Sequence, residues 1–88
     1  MKLIFAIIKD EDNDAVSSAL TKKGFRVTLI ASTGGFLRSG RSTLLIGLDD
    51  EQVETALETI RKNCKKQEEE KGKRATIFVL PVEKFTQV

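Results

Sequence analysis

The residues best suited to chemistry in this 88-residue chain gather between positions 26 and 41. The segment Thr33-Gly34-Gly35-Phe36-Leu37-Arg38-Ser39-Gly40-Arg41 holds three glycines, one aromatic, one aliphatic side chain and two arginines, with Arg26 a short way upstream. Glycines let backbone N–H groups come close to an anion, and successive N–H groups form anion-binding nests. Phe36 offers a flat face for a base, and the forked guanidinium groups of Arg26, Arg38 and Arg41 match phosphate oxygens. The combination suits a nucleotide-like anion. The residues alone leave a second reading open: an irregular turn whose Phe36 tucks into the core and whose arginines are solvated. The G-x-x-x-x-G-K-[ST] spacing of a phosphate-binding P-loop is missing, so ATP hydrolysis is not implied.

What the chain lacks narrows the chemistry further. It has no His, Trp or Tyr and a single cysteine, Cys64. Without His, the side chain best matched to proton transfer at neutral pH is gone. One Cys and no His rule out an ordinary zinc site or a disulfide framework. No nucleophile–base pair is visible, so the expectation is a non-enzymatic protein without a cofactor. Fifteen basic against thirteen acidic residues, net +2, is too even for a general nucleic-acid binder. With no signal-like start and no apolar run near ~18 residues, the expectation is a cytoplasmic chain that does not enter the membrane.

The surrounding elements follow from pattern. Leu3 to Ile8 is a continuous apolar run that reads as a buried strand. Asp10, Asp12 and Asn13 supply acidic or capping side chains for a helix carrying Ala15, Val16, Ala19 and Leu20, which Gly24 terminates. Phe25 to Ile30 is a second strand, with Val27, Leu29 and Ala31 alternating against Arg26, Thr28 and Ser32. Ser42 to Leu48 is a third, and its Gly47 suggests a close backbone approach or a bulge. Asp49 with Gln52 forms a capping box for a second helix striped by Val53, Ala56, Leu57, Ile60 and Cys64. Cys64 reads as a small buried hydrophobe. Lys65 to Lys73 is a charged hinge, and Thr76 to Leu80 is a last strand closed by Pro81.

The order βαββαβ predicts an α+β, ferredoxin-like fold spanning residues 1–88 as one domain, with a four-stranded antiparallel sheet and both helices on one face. Yet the first strand is apolar on both sides: Leu3, Phe5 and Ile7 alternate with Ile4, Ala6 and Ile8. A one-sided sheet should alternate apolar with polar. Each large side chain left in water forfeits roughly 1.5–3 kcal/mol. The spare face therefore predicts a partner, and a second copy of the chain is the simplest one. RNA-recognition domains share this topology but need aromatics on the third strand, and STLLIGL has none. Metal-carrying relatives of the fold need paired cysteines after the first strand, where this chain has IIKDED.

The opening MKLIFAIIKDED, the segment FRVTLIASTGGFLRSGRSTLLIGLDDEQVE and the ending ATIFVLPVEKF resemble the PII-like cyclic-di-AMP receptor family of Gram-positive bacteria. The resemblance implies a homotrimeric signalling protein that binds cyclic di-AMP in clefts between subunits and answers to an unidentified protein partner. By position, Arg26 and Thr28 match ligand-contacting residues on the strand before the loop. Gly35, Phe36 and Leu37 match the loop positions that cradle a base and a phosphate, and Gly47 a backbone contact. Phe78 and Gln87 match positions that close on the other adenine.

Two departures bear on that expectation. Family members usually carry Asn where this chain has Arg41, and Arg has donors but no acceptor, so it cannot reproduce an amide's two-way pairing with adenine. Three outcomes stay open for it: a phosphate contact, a preference for the acceptors of guanine, or a clash with the ligand. The connection before the last strand, long in the family, is here only the short KKQEEEKGKR. Two alternatives to the receptor follow: a trimeric scaffold that has lost its ligand, and a receptor retuned to another nucleotide or small anion.

Overall fold

The computed structural model of the chain describes residues 1–32, 40–64, 75–83 and 86. Six elements appear in the expected order: β1 (Lys2–Lys9), α1 (Asn13–Lys22), β2 (Arg26–Ser32), β3 (Arg41–Leu48), α2 (Val53–Asn63) and β4 (Ala75–Pro81). The strands form one antiparallel sheet in the order β2-β3-β1-β4, the α+β arrangement of a ferredoxin-like fold. β1, with the most continuous apolar sequence, and β3 take the two central places.

Alternation along the central strands decides what is buried. Ile4, Ala6 and Ile8 of β1 and Leu44, Ile46 and Leu48 of β3 form one core with Val16 and Leu20 of α1 and Ala56 and Ile60 of α2. Both helices therefore lie against the same side of the sheet. Cys64, the residue after α2, is buried in this core as expected, and Val53 and Leu57 pack at its margin.

The ends of the helices show how local chemistry fixes the turns. Gly24 has φ +92°, a conformation that costs an L-residue with a side chain roughly 1–2 kcal/mol. It lets the Phe25 N–H reach the Leu20 carbonyl at 3.1 Å and the Gly24 N–H reach the Thr21 carbonyl at 2.9 Å, the paired bonds of a Schellman cap. Phe25 is thereby turned into the core, so it precedes β2 instead of opening it. At the other helix, the Asp49 N–H donates to Gln52 Oε1 at 3.1 Å, one arm of the expected capping box.

Three expectations need correction. The acidic residues expected before α1 are in place, but none forms a side-chain cap bond at its N-cap: Asp10–Asp12 form a 3₁₀ turn, and the Asp10 carboxylate accepts from Ser42. The β2 alternation does not persist, because the register against β3 shifts between Leu29 and Ala31. Ile30 is the extra residue, and Ala31 pairs with Thr43 instead of holding the parity of Val27 and Leu29. Gly47 carries no bulge: pairing runs unbroken through it to Leu3 on one side and Arg26 on the other.

Nothing lies within 4 Å of a Cβ built on Gly24, so Gly24→Ala meets only the backbone cost. The variant should lose about 1–2 kcal/mol, read as a lower urea midpoint with an unchanged slope. An unchanged midpoint would show that this turn does not need the left-handed conformation.

Candidate functional site

The side of the sheet away from the helices, here the open face, is organised in rows by the strand register. Arg26, Gly47, Leu3 and Leu80 stand in one row across β2, β3, β1 and β4. Thr28, Leu45, Phe5 and Phe78 form the next, and Ala31, Thr43, Ile7 and Thr76 form a third across the same four strands. The middle is apolar and shaded by neighbouring strands. The edges are not: Phe78 is 52% exposed and Leu80 44%.

Five of the nine sequence candidates fall on described residues, and all five lie on this face. Arg26, Thr28 and Gly47 are close neighbours at one end of the β2–β3 pair. Arg41 opens β3 at the other end, paired across from Lys9. Six strand steps separate Arg41 from Gly47, about 20 Å. Phe78 shares the row of Thr28 but sits at the far edge, three strand spacings or roughly 14 Å away. Arg26 and Phe78 of one copy are therefore held apart by the rigid sheet between them. Gly35, Phe36, Leu37 and Gln87 lie outside the described residues, as does the charged hinge at 65–74.

The root of the glycine loop is fastened to the start of α1. The Asp10 N–H donates to the Gly40 carbonyl at 3.1 Å, and the Ser42 hydroxyl donates to the Asp10 carboxylate. Gly40 and Ser42 are both buried. Sequence reasoning missed this link, which joins residues 32 positions apart. One signal was present: Ser42 is a polar residue at the buried parity of Leu44 and Ile46.

Gly47 has a second neighbour that no spacing suggested. A Cβ placed on it would stand 3.3 Å from the terminal methyl of Met1. Its bare backbone thus leaves room for the Met1 side chain on the open face. Among the described residues no cluster of His, Cys, Asp or Glu is arranged to hold a metal ion, and no helix is long and apolar enough to cross a membrane.

Replacing Ser42 with Ala removes the hydroxyl from the Asp10 carboxylate in a buried setting. A loss of about 1–3 kcal/mol in unfolding free energy is expected, with Ser42→Thr keeping part of it. Equal stability of Ser42→Ala and the parent chain would mean the link carries no load.

A family model described as "Cyclic-di-AMP receptor" matches residues 1–71. Among solved structures, a functionally unknown protein from Pediococcus pentosaceus ATCC 25745 superposes with a TM-score of 0.81 at 36% sequence identity, over 99% of this chain and 96% of that one. The family match spans β1 to α2 and contains Arg26, Thr28, the glycine loop, Arg41 and Gly47. The structural match extends over β4 as well. The chain belongs to the cyclic-di-AMP receptor family.

Proposed function

We propose that this chain is a non-enzymatic, cytoplasmic signalling protein that binds cyclic di-AMP in clefts between the subunits of a homotrimer. The observation that carries this reading is the placement of the candidates: five residues from three strands stand on one face, at places too far apart for one copy to bring together. A neighbouring copy laid along the β2 edge can offer its own Phe78 to the Arg26 and Thr28 of the first. The ligand then has a guanidinium for a phosphate, a hydroxyl and bare peptide for base edges, and an aromatic ring to stack on.

The same assembly covers the apolar rows. Leu3, Phe5, Ile7 and Leu45 receive nothing from the helices, and association is the available way to remove them from water. Gly35, Phe36, Leu37 and Gln87, which lie outside the described residues, join the site in this reading through the family resemblance. Two states of the trimer with different affinity for the ligand would give the signal, because binding shifts their populations and with them the partner that the trimer accepts.

A second reading, a receptor retuned to another nucleotide or anion, draws support from Arg41. It stands directly opposite Lys9 on the open face, at the root of the loop. Two cations at one cross-strand position suit a phosphate better than an adenine edge. The scaffold without ligand remains the outcome if no nucleotide binds.

Calorimetric titration with cyclic di-AMP, cyclic di-GMP and ATP separates the three. Heat at about one site per chain, for cyclic di-AMP alone, is the expected result, and Arg26→Ala should weaken it about 10- to 100-fold. A preference for cyclic di-GMP would move the assignment to the retuned receptor. A separate prediction concerns assembly. Phe5→Asp puts a charge at the centre of the open face and should reduce the trimer mass to that of one chain in light scattering. A mass that stays threefold would place the interface elsewhere.

A further inference from the structure

The Arg26 end of the open face carries one side chain beyond the family-matched candidates. Met1 precedes β1, and its backbone is tied to the far end of β4 by the Val82 N–H, which donates to the Met1 carbonyl at 3.0 Å. From there its side chain crosses toward β3, bringing its terminal methyl to 3.3 Å from the point where a Gly47 Cβ would be. Gly47 in turn is paired with Arg26. Arg26, the bare peptide of Gly47 and the Met1 side chain therefore meet at one end of the sheet.

This is a useful sequence of chemistries for a nucleotide. The guanidinium recognises phosphate oxygens, and a thioether is a polarisable apolar surface that makes favourable contacts with aromatic rings. Met1 is also 44% exposed and unbranched, so its methyl can slide from above Gly47 without disturbing the core. We propose that Met1 is a ligand-contacting residue: its thioether packs against a base seated beside Arg26 and Gly47. The proposal rests on the receptor reading above. It also gives Gly47 a role, since the space left by its missing side chain admits the Met1 methyl.

The chain contains one methionine, which makes the test a single-atom experiment. Mild peroxide converts a thioether to a sulfoxide, polar where the parent was apolar, and methionine sulfoxide reductase reverses it. Cys64 is buried, and intact mass confirms that one oxygen has been added. Cyclic di-AMP is titrated into the untreated, oxidised and reductase-restored protein, with circular dichroism on each. The expected result is an affinity about 2- to 10-fold weaker after oxidation, recovered on reduction, with the fold unchanged. The single methionine methyl resonance should also move on adding cyclic di-AMP to the untreated protein. Equal affinity in all three forms with an unmoved methyl would overturn the role of Met1 and leave the receptor reading standing. No binding by the untreated protein would overturn both.

Discussion

A central strand that is apolar on both sides, in a fold whose helices cover only one, is the constraint on which this molecule turns. Ile4, Ala6 and Ile8 are completely buried against α1 and α2. Leu3, Phe5 and Ile7, on the same strand, receive only the shading of β3 and β4. A chain of this size buries only about 60–65% of its unfolded surface, so the helix-side core is thin and the second apolar face is too valuable to leave in water. In the proposed assembly, association covers that face, and the candidate site takes its location from the surface covered.

That location explains how a small, His-free chain can recognise a ligand at all. A single copy presents Arg26, Thr28 and Gly47 at one edge of the face and Phe78 at the other, on a sheet whose hydrogen bonds hold the spacing fixed. In the proposed head-to-tail ring unlike edges would meet, so each copy would supply the cation to one cleft and the aromatic ring to the next. The loop between β2 and β3 is rooted beside Arg41, and its exit is pinned by the Asp10 link to Gly40 and Ser42.

The sequence was informative wherever a residue's role is decided by its near neighbours. The apolar run of β1 announced a buried strand, Gly24 announced the end of the first helix, and Asp49 with Gln52 announced the start of the second helix. The excess apolar face followed from counting side chains on β1 alone. It was least informative where distant segments meet. Asp10 reads as a helix cap until Ser42 is placed beside it, because a carboxylate near a helix start has a local use that hides the remote one. The bulge at Ile30 breaks an alternation that runs cleanly through Val27 and Leu29, and no glycine or proline marks it. Gly47 was recognised as a position needing space, but the claimant, Met1, is 46 residues away in the chain. The candidate site was legible as residue types, and its division between two edges of a sheet emerged only with the strand order.

The central claim is that each site is shared between copies, and subunit complementation tests it most directly. Arg26→Ala and Phe78→Ala chains, each deficient in binding alone, are unfolded together in equal amounts, refolded, and titrated with cyclic di-AMP. If a site takes Arg26 from one copy and Phe78 from the next, random mixing in a closed ring restores about a quarter of the sites to full affinity. If both residues act within one copy, every site in the mixture carries a substitution, and no tight binding returns.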